Sequence, residues 1–226
     1  MTGVADLART PRAQQTRAAI TDAALALFRS RGYEATTMRA IAQRAGVSTG
    51  NAYYYFSSKE ELIQEFYARS HAEHLAASRA VLDTERDFTA RLRGTLRALI
   101  DVQAPYHEFA ARFYKYAAEP ASPLSPFSKQ SSPTREASIA LYREVLDGSD
   151  ARVGGDLAAR LPELLWLASM GVVLYWVHDT SPGCARTYRL IDAAVPVIGR
   201  LVAASRIPVL RATVRDVTAI IDELRS

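Results

Sequence analysis

Apolar and polar residues alternate with a helical period along almost the whole chain. From Thr16 onward Ile20, Ala23, Ala24, Leu27 and Phe28 recur at the spacing that gives a helix one apolar face, and Gly32 after Arg31 reads as its stop. Two short helices are expected next. Thr37 can cap the first, with Met38, Ile41, Ala42 and Ala45 inward and Gly46 at its end. Ser48 can cap the second, which runs through Ala52 to about Phe56. Ser58 followed by Glu61 is a capping box, and the helix it opens carries Leu62, Ile63, Phe66 and Tyr67 to about Leu82. Leu92, Leu96 and Leu99 then share a face up to Pro105, and Tyr106, Phe109, Phe113 and Tyr116 mark a further helix up to Pro120. Pro120, Pro123, Pro126 and Pro133 among serines predict a loop. Ile139, Tyr142, Val145 and Leu146 predict a helix closed by Gly148, with others at about 156–179, 185–205 and 209–224. No segment alternates like a strand over a useful length, so the pattern predicts an all-α chain of about ten helices.

Composition changes this picture little. The 226 residues are 49% apolar and 23% charged, enough to bury a core in one or two domains. Cys184 is the one cysteine, which excludes a disulfide framework and a cysteine-based zinc site. The most apolar run, Leu164 to Val177, is 14 residues, short of the roughly 20 that span a bilayer, and reads as a buried helix. The N-terminus lacks the apolar core of a signal peptide. A cytoplasmic chain with no membrane partner is therefore expected.

Charge does change the picture, through its location. Residues 1–59 hold eight basic residues (Arg9, Arg12, Arg17, Arg29, Arg31, Arg39, Arg44, Lys59) and three acids, a surplus of five. The whole chain carries +4, so the remainder is slightly negative. The basic part coincides with the stretch from Thr37 to Phe56, which has the physics of a helix-turn-helix. A small residue is required where the helices cross (Ala42), positive φ in the turn (Gly46), an apolar lock (Val47) and a small inward residue on the second helix (Ala52). The second helix would then expose Ser48, Thr49, Gly50, Asn51, Tyr53 and Tyr54, with Tyr55 and Phe56 in the core. Thr49 and Asn51 can hydrogen-bond base edges, Gly50 lets backbone approach, and tyrosine hydroxyls can reach phosphates. Thr37, Arg39 and Lys59 are further phosphate candidates near helix N-termini. Arg9, Arg12 and Arg17 could place the N-terminal arm in a minor groove or leave it as a solvated tail.

At these residues the chain resembles the TetR family of transcriptional regulators. The matching pieces are Ala24-Leu-Ala-Leu-Phe28, Gly32-Tyr33, Thr36-Thr37, Ile41-Ala42, Ala45-Gly-Val-Ser48, Tyr53-Tyr-Tyr-Phe56 and Ser58-Lys-Glu-Glu-Leu62. The resemblance implies a basic arm (1–12), a three-helix DNA-binding domain (13–60) and a larger helical bundle for ligand binding and dimerisation (61–226). It implies a homodimeric repressor released from a palindromic operator in double-stranded DNA by a small apolar or aromatic effector. By position, Ser48 to Tyr54 fall on the recognition helix and Thr37 and Lys59 at phosphate contacts. Thr49 stands where many relatives carry Lys or Arg, so no guanine contact is implied there.

Beyond residue 62 the candidates are weaker. Tyr106, His107, Phe113, Trp166, Met170, Trp176 and His178 could line an effector pocket between helices, and each could equally be core. Tyr188, Ile191, Val195, Ile198 and Val202 form one apolar seam, and Leu190, Ala194, Val197 and Leu201 another. The first seam is expected at a dimer interface, with the last helix covering it inside the protomer as the alternative. His71 and His74 could share a metal, but no third ligand is evident nearby, and a redox role for Cys184 has no basic neighbour to support it. No nucleophile elbow, zinc-protease helix, P-loop or dinucleotide fingerprint occurs, so neither catalysis nor a cofactor is expected. A helical scaffold without DNA binding remains the other class.

Overall fold

The structure, a computed structural model, describes residues 10–153 and 155–205. Among them are nine α-helices: α1 Pro11–Arg31, α2 Met38–Ala45, α3 Thr49–Tyr55, α4 Lys59–Leu82, α5 Phe88–Gln103, α6 His107–Ala117, α7 Ser132–Asp147, α8 Gly155–Val177 and α9 Ala185–Ala204. Single 3-10 turns occupy Ala104–Tyr106 and Pro182–Cys184, and the described residues contain no strand. The all-α class holds. The helix expected at about 209–224, and Arg9 with most of the expected arm, lie outside the described residues.

The first helix starts earlier than its apolar period shows. Thr10 caps it by accepting the Ala13 N–H at 3.2 Å, and Pro11 occupies the first turn, where its missing N–H is not needed. Arg12 and Arg17 are thus helical rather than part of a loose arm. Arg17 pairs with Glu65 at 2.7 Å, donates to the Tyr55 carbonyl at 3.3 Å and lies 4.4 Å over the Phe56 ring. It holds helices together and is not available as a minor-groove arm.

The chain divides into two compact units, residues 1–69 with 106–132 and residues 70–105 with 133–226. In the first, Ile20, Leu27, Phe28, Ile41, Phe56 and Ile63 are buried together with Phe109 and Phe113 of α6. Phe109 stacks between Phe28 and Phe113, with ring centroids 6.0 and 5.1 Å away. The proline- and serine-rich loop after α6 belongs to the same body. Leu124 enters the core, Gln64 donates to the Pro123 carbonyl at 2.8 Å, and Tyr67 donates to the Leu124 carbonyl at 3.0 Å.

In the second unit a buried arginine joins three helices. Arg91 of α5 donates to the carbonyls of Leu82 (2.6 Å), Glu85 (2.8 Å), Glu144 (2.7 Å) and Val145 (2.9 Å). These lie at the C-terminal ends of α4 and α7, where carbonyls lack intrahelical donors and the helix dipole is negative. Gly148 leaves room for the guanidinium: a Cβ there would collide with Arg91. Close approach of α4 and α5 depends likewise on Gly94, whose added Cβ would meet Val81. Buried His74 bonds the Thr95 carbonyl through Nε2 at 2.9 Å, and burial lowers its pKa to about 4.

The turn between α8 and α9 is fixed by one carboxylate. Asp179 accepts from the backbone and hydroxyl of Ser181 (2.9 and 2.6 Å) and of Thr187 (2.8 and 2.7 Å). Burial opposes ionisation, but these four donors outweigh it and hold the group well below the usual carboxylate range. Helix α8 corrects one expectation. From Leu157 to Val177 it is long and apolar enough, by length and composition, to cross a membrane. It also carries Arg160 and Glu163 and buries Leu161, Leu165, Trp166 and Trp176, the pattern of a core helix in a bundle.

Two outcomes follow for stability. Arg91→Met leaves helix-end carbonyls without donors and is expected to lower the urea midpoint by the equivalent of about 3 kcal/mol or more, at unchanged m-value. For His74 the unfolded chain has the ordinary pKa near 6.5, so between 6.5 and 4 the unfolded state binds the proton and the folded state does not. Stability from this group is full above pH 6.5 and falls as pH drops, by about 2 kcal/mol between pH 7.5 and 5. A urea titration series over that range, flattened in His74→Gln, measures it.

Candidate nucleic-acid interface

The geometry of α2 and α3 is built from local chemistry. The Thr37 hydroxyl accepts the Ala40 N–H at 3.2 Å, and the Ser48 hydroxyl accepts the Asn51 N–H at 3.1 Å. Each cap uses an acceptor site and leaves the hydroxyl proton to donate elsewhere. Gly46 ends α2 in the left-handed region, at φ 71° and ψ 27°. Its N–H returns to the Gln43 carbonyl and that of Val47 to the Ala42 carbonyl, at 3.3 and 3.0 Å. With the chain reversed there, Ala42 and Ala52 are buried and α3 crosses α2 closely.

Burying Ala52 turns the opposite side of α3 outward. Thr37, Arg39, Ser48, Thr49, Gly50, Asn51, Tyr53 and Tyr54 are all exposed. Tyr53 and Tyr54 leave 52% and 57% of their surface open, which excludes a core role, whereas Phe56 is fully buried and Tyr55 partly so. A Cβ added at Gly50 would meet nothing within 4 Å, so that glycine serves no internal packing. Arg44, which the sequence reading did not single out, is also exposed at the end of α2.

Lys59 is placed differently from a free phosphate contact. Its Nζ donates to the carbonyls of Tyr33 (2.8 Å) and Glu34 (3.4 Å) and lies 4.4 Å over the Tyr33 ring. It ties the α1–α2 connection to the start of α4. Beside it Tyr33 donates to Glu60 at 2.7 Å; burial and that acceptor push the phenol above its ordinary range. The expected capping box forms with a shift: Ser58 accepts the Glu61 N–H at 3.3 Å, while Glu61 reaches back to the Ser57 N–H at 2.7 Å.

The second-tier candidates are corrected by packing. The seam expected to meet a partner faces inward: Ile191, Val195 and Val202 are buried in the second unit, where α9 packs on α5, and Ile198 is half-buried. Tyr188 donates to Asp101 of α5 at 2.5 Å, within the protomer. The other seam is outward, with Val197 and Leu201 exposed at 45% and 67%. Of the pocket candidates, Phe113 belongs to the first unit's core, and Tyr106 packs edge-on against Phe66 in that unit, where His107 is half-buried. His178 is exposed with Nδ1 2.9 Å from the Leu174 carbonyl, so it is no buried polar handle. Trp166 and Trp176 are buried in the second unit and Met170 is half-buried there. No group of three potential metal ligands occurs among the described residues. Burial pushes the Cys184 thiol up, away from a reactive thiolate.

Among the described residues, all helical in class, a solvated, hydroxyl-rich helix behind a left-handed glycine turn has the form of a helix-turn-helix. Comparison with known proteins sharpens that class. Residues 20–66 match the family of bacterial regulatory proteins, tetR family, and residues 91–220 match the tetracyclin repressor-like, C-terminal domain. The chain is 33% identical over 91 residues to the HTH-type transcriptional repressor KstR2 of Mycobacterium tuberculosis, covering 40% of this chain and 46% of that protein. It is 43% identical over 68 residues to the HTH-type transcriptional regulator TtgR of Pseudomonas putida, covering 30% and 32%. Both alignments thus span less than half of the relative. In fold it is similar to the TetR transcriptional regulator of Nitrosomonas europaea, with TM-score 0.62 and 19% identity over 80% of this chain and 96% of that one. Thermus thermophilus FadR, a TetR family repressor solved with lauroyl-CoA, gives TM-score 0.60 and 21% identity over 79% and 92%. The chain belongs to the TetR family, a family of transcriptional regulators and not of enzymes.

The two glycines separate structural from interfacial need. Gly46→Ala places a Cβ in a left-handed residue and is expected to cost about 1–2 kcal/mol. Gly50→Ala, helical and unobstructed, is expected to stabilise by up to about 1 kcal/mol. Chemical denaturation of both variants checks the opposite signs.

Proposed function

We propose that this chain is a homodimeric transcriptional repressor that leaves a palindromic operator when a small apolar or aromatic molecule binds. The observation that carries the reading is the solvated face of α3, held out by buried Ala52 and flanked by the exposed Thr37 and Arg39. Thr49 and Asn51 address base edges, Tyr53 and Tyr54 address phosphates, and Gly50 permits close backbone approach. Lys59 holds the start of α4, whose N–H groups face a phosphate. DNA reading falls in residues 13–60, effector binding and pairing in 61–226.

The pairing surface follows from the outward apolar positions. On α8, Leu167, Leu174 and Tyr175 are exposed, with Gly171 between them; on the adjacent α9, Val197 and Leu201 are exposed. Two neighbouring helices with outward apolar faces bury them by meeting a second copy about a two-fold axis. A dimer reads two half-sites only when its recognition helices stand about one helical turn, roughly 34–36 Å, apart. An effector that binds better to a splayed dimer depletes that state; a tenfold preference supplies about 1.4 kcal/mol.

Footprinting on the DNA upstream of its own gene at low salt should show a two-fold symmetric protected site. Gly50→Ala and the Tyr53→Phe, Tyr54→Phe pair should weaken protection without loss of stability. Leu174→Arg should give a folded monomer by light scattering that no longer protects the site. Absence of protection by a folded wild-type dimer refutes the repressor.

A further inference from the structure

Besides the Arg91 and Asp179 clusters, the interior of the second unit holds neutral polar groups on four helices. His74 and Ser78 stand on α4, Thr95 on α5, Tyr142 on α7 and Ser169 on α8, all buried. The His74–Thr95 bond joins α4 to α5. Helices α5 and α7 run antiparallel. Asp150 meets Arg86 (N to carbonyl, 2.8 Å) and Phe88 (carboxylate to N–H, 3.1 Å), while further along α5 Arg91 meets Val145 and Glu144. Thr95 lies one turn beyond Arg91, and Tyr142 one turn before Val145. The two side chains therefore stand at one level of the bundle, and Ser169 is the polar neighbour of Tyr142.

Neither the Thr95 hydroxyl nor the Tyr142 phenol has a partner at full hydrogen-bond distance, although both are fully buried; Ser169 acts on the phenol only as a weaker polar neighbour, its own proton going to the Trp166 carbonyl. Buried polar groups are satisfied almost everywhere in folded proteins, so two orphans at one level call for a partner. The formal charges nearby are already committed. Arg91 gives its donors to four carbonyls, and Asp179 takes four donors from Ser181 and Thr187. Ser78 and Ser169 donate to carbonyls of their own helices, at 2.8 and 2.6 Å. His74 has Nε2 facing a carbonyl, which fixes the proton there, and burial keeps it neutral. What remains is a neutral pair of buried hydroxyl donors, at one level of an otherwise largely apolar interior.

Resting on the effector-controlled reading above, we propose that Tyr142 and Thr95 are the recognition groups of the effector site. The buried part of the effector is an uncharged, apolar molecule bearing a carbonyl-type acceptor, a ketone or quinone rather than a carboxylate. A carboxylate entering here would lose its hydration with no free cation among the described buried residues to replace it. A hydrocarbon of the same shape would leave both hydroxyls unpaired, and sites built on buried donors discriminate strongly against such analogues.

The test uses the full-length dimer without DNA. The probes are two ketones (2-acetylnaphthalene and 2-undecanone), their carboxylate counterparts (2-naphthoate and undecanoate) and the hydrocarbon 2-ethylnaphthalene, followed by calorimetry and tryptophan fluorescence. At least one ketone should bind about tenfold or more tighter than its matched carboxylate, and 2-acetylnaphthalene tighter than 2-ethylnaphthalene. Tyr142→Phe should lose most of that preference while melting at the same or a higher temperature, because it deletes an unpaired group and keeps the ring. Thr95→Val should act in the same direction. Carboxylates binding as tightly as ketones, no ketone binding, or a Tyr142→Phe protein with wild-type preference would each overturn the assignment. Operator footprinting of the same variants should be unchanged without probe. Ketone selectivity in a protein that protects no DNA would sink the repressor and leave the site standing.

Discussion

The left-handed turn at Gly46 decides where α3 points, and the rest of the interface follows from it. Only with positive φ there does the chain reverse tightly enough for Ala42 and Ala52 to meet in the core. Burial of Ala52 in turn commits Ser48, Thr49, Asn51, Tyr53 and Tyr54 to solvent. The turn itself is held from below. Phe28, Phe109 and Phe113 stack in the same core that buries Ala42 and Ala52, Arg17 braces the end of α3 through the Tyr55 carbonyl, and Lys59 locks the preceding connection through Tyr33 and Glu34.

What the sequence made legible was what short-range chemistry determines. The caps at Thr37 and Ser48, the turn at Gly46 and the outward set on α3 depend on residues a few positions apart, so their spacing was sufficient. Longer-range partners were not legible. The two seams of α9 have the same helical period, and nothing in the period says which packs on α5; the structure buries the one containing Ile191 and exposes the one containing Leu201. Phe113 was visible as apolar but not as a neighbour of Tyr33 in the first unit. Lys59 and Arg17 read as free positive charge, yet both are spent on carbonyls and rings. Arg91 carried a signal that went unused: it falls on the apolar face of α5 with Phe88, Leu92 and Thr95, where a charge demands buried partners.

The buried polar groups of the second unit sort into two kinds. Arg91 gives four of its five N–H donors to carbonyls and Asp179 accepts four hydrogen bonds, and their work is to hold helix ends together. Tyr142 and Thr95 are not saturated, although they stand about one turn from the Arg91 clamp. Among the described buried residues, the charged side chains are engaged by several partners while these two hydroxyls are not. On the proposed reading, this contrast is what separates framework from recognition in this interior.

In the proposed dimer the carboxylate of Asp179 would bear on assembly as well as on folding. By gathering four donors across the α8–α9 turn it sets the angle between the two helices whose outer sides carry Leu174 and Leu201. A hairpin braced in this way would lose little freedom on docking a second copy, so the proposed association would need only a modest contact area. Because its four donors hold the carboxylate below the usual carboxylate range, the brace stays ionised at neutral pH.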